Sequence, residues 1–131
     1  MRFRIQHVRY MPSSLEEGIL YVSKEFETAA HLCACGCKQK VRTPLGPTEW
    51  TLSESKRGPS LYPSIGNWQL PCKSHYIINK GDVVWARQWS KEEIDRGRAR
   101  EKDRRDSYYK NRRKTVTEVF LTWLYKKKHS Q

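Results

Sequence analysis

The chain has no long apolar run. Nowhere does it approach the ~18 to 20 consecutive apolar residues that a membrane-spanning helix needs, and the stretch 119–124 falls far short. Helical membrane insertion is therefore excluded. The start, Met1-Arg2-Phe3-Arg4-Ile5, has no apolar leader region and no small-residue cleavage site, so the chain reads as cytoplasmic with reduced thiols. Acids are scarce: 14 Asp plus Glu stand against 26 Lys plus Arg, for a formal net charge of +12. Only 37 % of the 131 residues are hydrophobic, enough for the core of one domain with an appended element, and few enough that a metal cross-link would matter to stability.

All four cysteines fall in two clusters, His31-Leu32-Cys33-Ala34-Cys35-Gly36-Cys37 and Pro71-Cys72-Lys73-Ser74-His75. Close thiols plus a distant Cys-x-x-His supply the sulfur and imidazole donors that tetrahedral Zn2+ prefers. A disulfide framework would need an oxidising compartment. Cys72 with His75 could pose as a nucleophile and base, but thiols this concentrated around a Gly turn point to metal rather than acyl transfer. Buried unliganded thiols are the plain alternative. Cys33, Cys35, Cys37, Cys72, His75 and His31 together exceed the four places of a closed site. The preferred set is two or three thiols of the first cluster closed by Cys72 and His75, with His31 as a strand residue or supporting donor.

Residues 1–90 carry turn and strand signals and residues 91–131 carry helix signals, which divides the chain into a zinc-binding β-domain and a basic helical extension. The fold class is α+β, a small zinc-stapled antiparallel β-domain followed by two C-terminal helices. Alternation predicts a strand over 2–7, then strands over 19–23 and 28–32, the last leading into the cysteine turn. Strands over 40–43, 50–52 and 60–62 follow, with 53–59 as a loop between the last two. Tyr62-Pro63-Ser64-Ile65-Gly66-Asn67-Trp68 reads chiefly as packing beside the metal. Segments 76–78 and 83–86 around Asn79-Lys80-Gly81-Asp82 form a hairpin.

Ser90 with Glu93 is a capping box that starts a helix at Lys91, running to about Arg113. Thr115 with Glu118 is a second one and predicts a separate helix, on which Val116, Val119, Phe120, Trp123 and Leu124 share one face. That stripe serves either its own β-domain or, as protein contact, a homodimer or partner. Arg and Lys neutralise phosphates and Tyr stacks on bases or bonds phosphate oxygens, so Arg104, Arg105, Tyr108, Tyr109, Lys110, Arg112, Arg113 and Lys114 are the nucleic-acid candidates. Interleaved acids give the opposing reading of a salt-bridged solvated helix. Between Lys110 and Lys114 there is no acid, and no base-reading motif appears, so any binding would be shape-driven or nonspecific.

The cysteine turn, then Thr43-Pro44-Leu45, Trp50, Leu61 through Trp68 and Pro71-Cys72-Lys73-Ser74-His75-Tyr76, resembles a small bacterial and phage family known only as a domain of unknown function. The resemblance covers about residues 15–90. It implies a zinc-binding β-domain with a metal site at Cys33, Cys35, Cys37, Cys72 and His75, no established reaction, and defence-type gene neighbourhoods that include ubiquitin-like conjugation cassettes. Where many relatives carry a second Gly after the third Cys, this chain has Lys38.

The function expected from these readings is noncatalytic: an accessory protein of a bacterial antiviral, CRISPR-type nuclease system that binds DNA or a guide RNA/DNA complex, or a protein effector bound to it. An adaptor in a ubiquitin-like conjugation cassette is the first alternative. A zinc-dependent hydrolase is the weaker one, because no His-Glu-x-x-His or His-x-Glu motif supplies an open zinc site and a base.

Overall fold

The computed structural model describes residues 1–128; residues 129–131, the end of the expected helical extension, lie outside the described residues. The chain divides into two compact units, Met1–Ser90 and a second beginning at Lys91.

The first unit holds two four-stranded sheets. One has the order β1 (Arg4–His7), β2 (Ile19–Ser23), β3 (Thr28–Leu32), β4 (Lys40–Pro44); the other has β5 (Thr51–Ser55), β6 (Gly58–Gly66), β7 (His75–Asn79), β8 (Asp82–Trp85). All pairings are antiparallel except β1 with β2, which run parallel. The antiparallel β-domain expected is thus present, with β1–β2 as the one parallel pair among the named strands. The segment 8–18 between them is a long connection rather than a hairpin, and it returns the chain to the start of β1, where the Arg4 N–H bonds the Gly18 carbonyl.

The predicted loop over 53–59 is instead a tight hairpin. Ser55 pairs with Gly58 across Lys56-Arg57, and the Ser55 hydroxyl accepts the Arg57 N–H at 3.2 Å, a side-chain turn of the kind Ser favours. Gly58 has φ 144°, and a β-carbon there would lie 2.7 Å from the Gly81 Cα, so only glycine lets the β5–β6 turn approach the β7–β8 turn. The latter joins Asn79 to Asp82 through Lys80 and Gly81, both at positive φ, as a two-residue hairpin demands.

Phe3, Leu20, Val22, Leu61, Ile65, Tyr76 and Ile78 are buried together in one core drawn from both sheets, each side chain contributing about 1.5–3 kcal/mol when fully removed from water. The N-terminus fastens the sheets to each other. The Phe3 N–H bonds the Gly81 carbonyl at 2.6 Å, and the Arg2 guanidinium reaches Asp82 and the Arg57 carbonyl. Cys33 belongs to this core, which places the cysteine turn against the apolar centre of the unit.

The second unit is one helix, α1 (Lys91–Lys128), where two were expected. The second capping box does not act as a cap. The Thr115 hydroxyl donates back to the Asn111 carbonyl at 3.0 Å, and Thr117 and Thr122 do likewise to Arg113 and Glu118. A Thr bonded to the carbonyl four residues back sits inside a helix, so the backbone runs through Thr115 unbroken.

Candidate metal centre and candidate active site

Cys33, Cys35 and Cys37 lie in the turn between β3 and β4, closed by the Cys33 N–H on the Gln39 carbonyl (2.8 Å) and the Gly36 N–H on the Cys33 carbonyl (3.1 Å). Gly36 (φ 88°) and Lys38 (φ 63°) both take the left-handed conformation that folds the three sulfurs back on one another. Cys72 sits in the second of two successive turns in the connection between β6 and β7, Leu70 N–H to Asn67 carbonyl and Lys73 N–H to Leu70 carbonyl. The four Sγ atoms lie within 4.8 Å of one another.

Cys33 is 3.5 Å from Cys35 and 3.8 Å from Cys72, and Cys37 is 3.9 Å from Cys72. Zinc–sulfur bonds of about 2.3 Å in a tetrahedron put sulfurs about 3.8 Å apart, so the donor set and its spacing fit such an ion. Burial alone would raise Cys72, but hydrogen bonds from the Ser74 hydroxyl and amide and from the Cys35 and Cys33 thiols outweigh it and hold Cys72 at about 7. Cys35 is pushed up to about 12, by desolvation first and then by its side-chain hydrogen bond with Cys37. Four thiolates this close need a cation between them to ionise together.

Around the sulfurs lies a polar layer. The Asn67 amide donates to Ser74 Oγ at 2.9 Å and toward Cys33 Sγ at 3.6 Å, and Ser74 Oγ is 3.1 Å from Cys33 Sγ. His31 is fully buried on β3 and lies outside the sulfur cluster. Its Nε2 meets the Tyr76 hydroxyl at 2.7 Å, and that hydroxyl accepts the Ala34 N–H at 3.4 Å. Burial holds His31 down at about 4, so the ring is neutral. His31 thus supports the cysteine turn through Tyr76.

His75, expected as a closing ligand, lies apart from the four-sulfur group. Lys73 takes φ 47° after Cys72, and the chain turns into β7, where His75 pairs with Gly66 of β6. Its Nδ1 is 2.6 Å from the Arg87 carbonyl and its Nε2 is 2.9 Å from Ser64 Oγ. A carbonyl only accepts, so Nδ1 carries the proton and Nε2 is left to accept from the Ser64 hydroxyl. The ring is confined by Trp68 (centroids 5.0 Å, 61°) and Trp89 (5.2 Å, 72°), whose indoles stack on each other at 5.8 Å. Ser64 stands in the part of β6 where the register with β7 shifts between Leu61 and Ile65, and such irregularities re-aim side chains beside active sites. Serine, base and a group orienting the base are the parts of a nucleophilic site, here with a main-chain carbonyl as the third member.

A family model described as "Bacterial ubiquitination-like system serine protease (BubE)" matches residues 7–86. The chain belongs to this family. No curated protein and no solved structure matches it. The BubE family is a defined one within a ubiquitination-like system, whereas the motif resemblance pointed to a family without a known role. The matched span contains the four cysteines, Asn67, Trp68, Ser64 and His75 and ends just before Arg87 and Trp89.

The basic helix lies beyond the BubE match. Arg104, Tyr109, Lys110, Arg112, Arg113 and Lys114 are exposed along α1, with Arg105 and Tyr108 half-buried and the two Tyr rings edge to face at 5.2 Å. Val116, Val119, Phe120, Trp123 and Leu124 are also exposed, as are Leu121 and Tyr125. Among the described residues no helix is long and apolar enough to cross a membrane. From sequence alone, Ser64 and Asn67 read only within a segment packing beside the metal, Ser74 only as a spacer between Cys72 and His75, and Trp89 not at all; none is singled out for the site. Their one signal was the crowding of Pro, Gly, Asn and Trp around Ser64.

Proposed function

We propose that this chain is a serine hydrolase acting on a peptide-type bond of a protein handled by a ubiquitination-like system, with Ser64 as nucleophile, His75 as general base and a structural zinc at Cys33, Cys35, Cys37 and Cys72. The observation that carries it is the His75 ring, 2.9 Å from Ser64 Oγ on one nitrogen and 2.6 Å from the Arg87 carbonyl on the other. Membership of a family described as serine proteases supports the same chemistry.

Ser64 Oγ attacks the substrate carbonyl carbon while its proton passes to His75 Nε2. As the carbon–nitrogen bond breaks, the same proton leaves with the amine. Water then attacks the acyl-Ser64 ester with His75 again as base, releasing the acid and restoring the hydroxyl. The Arg87 carbonyl fixes the tautomer and accepts from Nδ1–H throughout, and the Trp68 and Trp89 indoles, packed at steep angles against the ring, hold its orientation. A set of four thiolates is a closed site that stiffens the fold and offers no place to an attacking water. This reading replaces the noncatalytic one. The phosphate-binding role of Lys110–Lys114 has no support from family membership.

An activated ester such as p-nitrophenyl acetate tests the reading. The full chain releases a burst of close to one nitrophenol per molecule, and Ser64→Ala and His75→Gln lose it, the latter by about 10²–10⁴-fold in rate. A native chain with no burst, or a burst that survives Ser64→Ala, overturns the assignment and leaves the chain as an adaptor of the conjugation system.

A further inference from the structure

The cysteine cluster and the Ser64–His75 pair share one piece of chain. Ser74 lies between Cys72 and His75, and Asn67 lies between Gly66, which pairs with His75, and Trp68, which packs on the His75 ring. Asn67 and Ser74 clasp each other twice: the Asn67 N–H bonds the Ser74 carbonyl at 2.8 Å, and the Asn67 amide bonds Ser74 Oγ at 2.9 Å. Both reach the sulfurs. Asn67 points a second contact at Cys33 Sγ (3.6 Å), and Ser74 Oγ lies 3.1 Å from Cys33 Sγ and 3.5 Å from Cys72 Sγ.

Asn67 is 1 % exposed and Cys33 is fully buried, so neither amide nor sulfur can exchange its partner for water. A metal bonded to Cys33 and Cys72 would fix the two sulfurs against which the clasp rests, and β6 and β7, which carry Ser64 and His75, adjoin the clasp directly.

Resting on the hydrolase reading above, we propose that Asn67 is a positioning residue that couples the metal site to the catalytic pair, so that a filled cysteine cluster sets the reactivity of Ser64 without touching substrate. The coupling acts through Ser74 on the placement of His75 and through the chain into Trp68 on the wall beside the ring. Supporting groups behind metal ligands typically change affinity or activity by about 10–100-fold when removed, and the same span is expected for the rate at Ser64.

The test uses the full chain loaded with zinc and a fluorophosphonate probe that labels a reactive serine. The labelling rate at saturating probe and the half-saturating concentration are measured for the native chain, for Asn67→Ala and for Ser74→Ala, together with bound zinc and the sulfur-to-metal absorption band of cobalt-loaded samples. The expected result is a maximal labelling rate about 10–100-fold lower in Asn67→Ala, with half-saturation and zinc content unchanged and a displaced cobalt band. Stripping zinc from the native chain lowers the rate likewise, and adding zinc restores it.

Ser74→Ala provides the same reading if Asn67→Ala does not fold. Native-rate labelling in a variant that binds zinc, or labelling indifferent to zinc removal, overturns the coupling while leaving Ser64 as nucleophile. A native, zinc-loaded chain that is not labelled at Ser64 overturns the hydrolase reading, and the coupling falls with it.

Discussion

The Trp68 indole stands where Gly66 would carry a side chain: a β-carbon on Gly66 would lie 2.5 Å from Trp68 Nε1. Gly66 is also the β6 residue paired with His75, so the missing side chain is what admits the indole to the His75 ring. Here glycine is required by close approach, since Gly66 is not at positive φ. Gly66→Ala is expected to displace Trp68 and slow acylation of Ser64 at least tenfold, with overpacking costing about 1–3 kcal/mol of stability. Burst kinetics and urea unfolding of the same preparation check both parts.

The metal centre should melt from within the first unit. Metal binding and folding are coupled in sites of this size, and Cys33 is both a candidate ligand and part of the buried core, whereas Cys37 is exposed. Both Cys33→Ala and Cys37→Ala are expected to lose bound zinc, with Cys33→Ala losing more stability because it also leaves a hole in the core. Hydrogen exchange after chelation should quicken in 33–40 and 67–75 and leave α1 unchanged. Equal quickening along the whole chain would contradict this.

Lys38 occupies a left-handed position at φ 63°, where a β-carbon costs about 1 kcal/mol or more and Gly costs little. Lys38→Gly should therefore stabilise the zinc-loaded chain by up to about 1 kcal/mol, part of the gain being offset by the greater freedom of Gly in the unfolded chain. Thermal unfolding at fixed zinc concentration reads the shift.

Thr115 tests the continuity of α1. A capping Thr replaced by Ala would cost about 1 kcal/mol and reduce helix content. Thr115 bonded back to Asn111 predicts the reverse, because Ala is the better residue inside a helix. Thr115→Ala should leave circular dichroism at 222 nm equal to or stronger than that of the native chain.

Much of the first unit was legible because alternating residues and turn signals are local. The segments at 19–23 and 28–32 and the turn at Asn79-Lys80-Gly81-Asp82 form where the pattern places them. The gathering of the four sulfurs followed from thiol clustering alone. His75 was read as a ligand because Cys-x-x-His is a ligand spacing, yet the positive φ of Lys73 turns the chain onto β7 and its ring onto Ser64. The pair itself was hidden for a physical reason. Its third member is the Arg87 carbonyl, and a main-chain group leaves no mark in residue identity. The helix break failed similarly, since a Thr that caps and a Thr that bonds back to the preceding turn read the same in sequence.

The role of Ser64 as nucleophile is tested most directly by mass-spectrometric mapping of the zinc-loaded chain after reaction with diisopropyl fluorophosphate. A single adduct on Ser64 is expected, absent in Ser64→Ala and strongly slowed in His75→Gln. An unmodified Ser64, or an adduct that forms as fast without His75, would contradict that role.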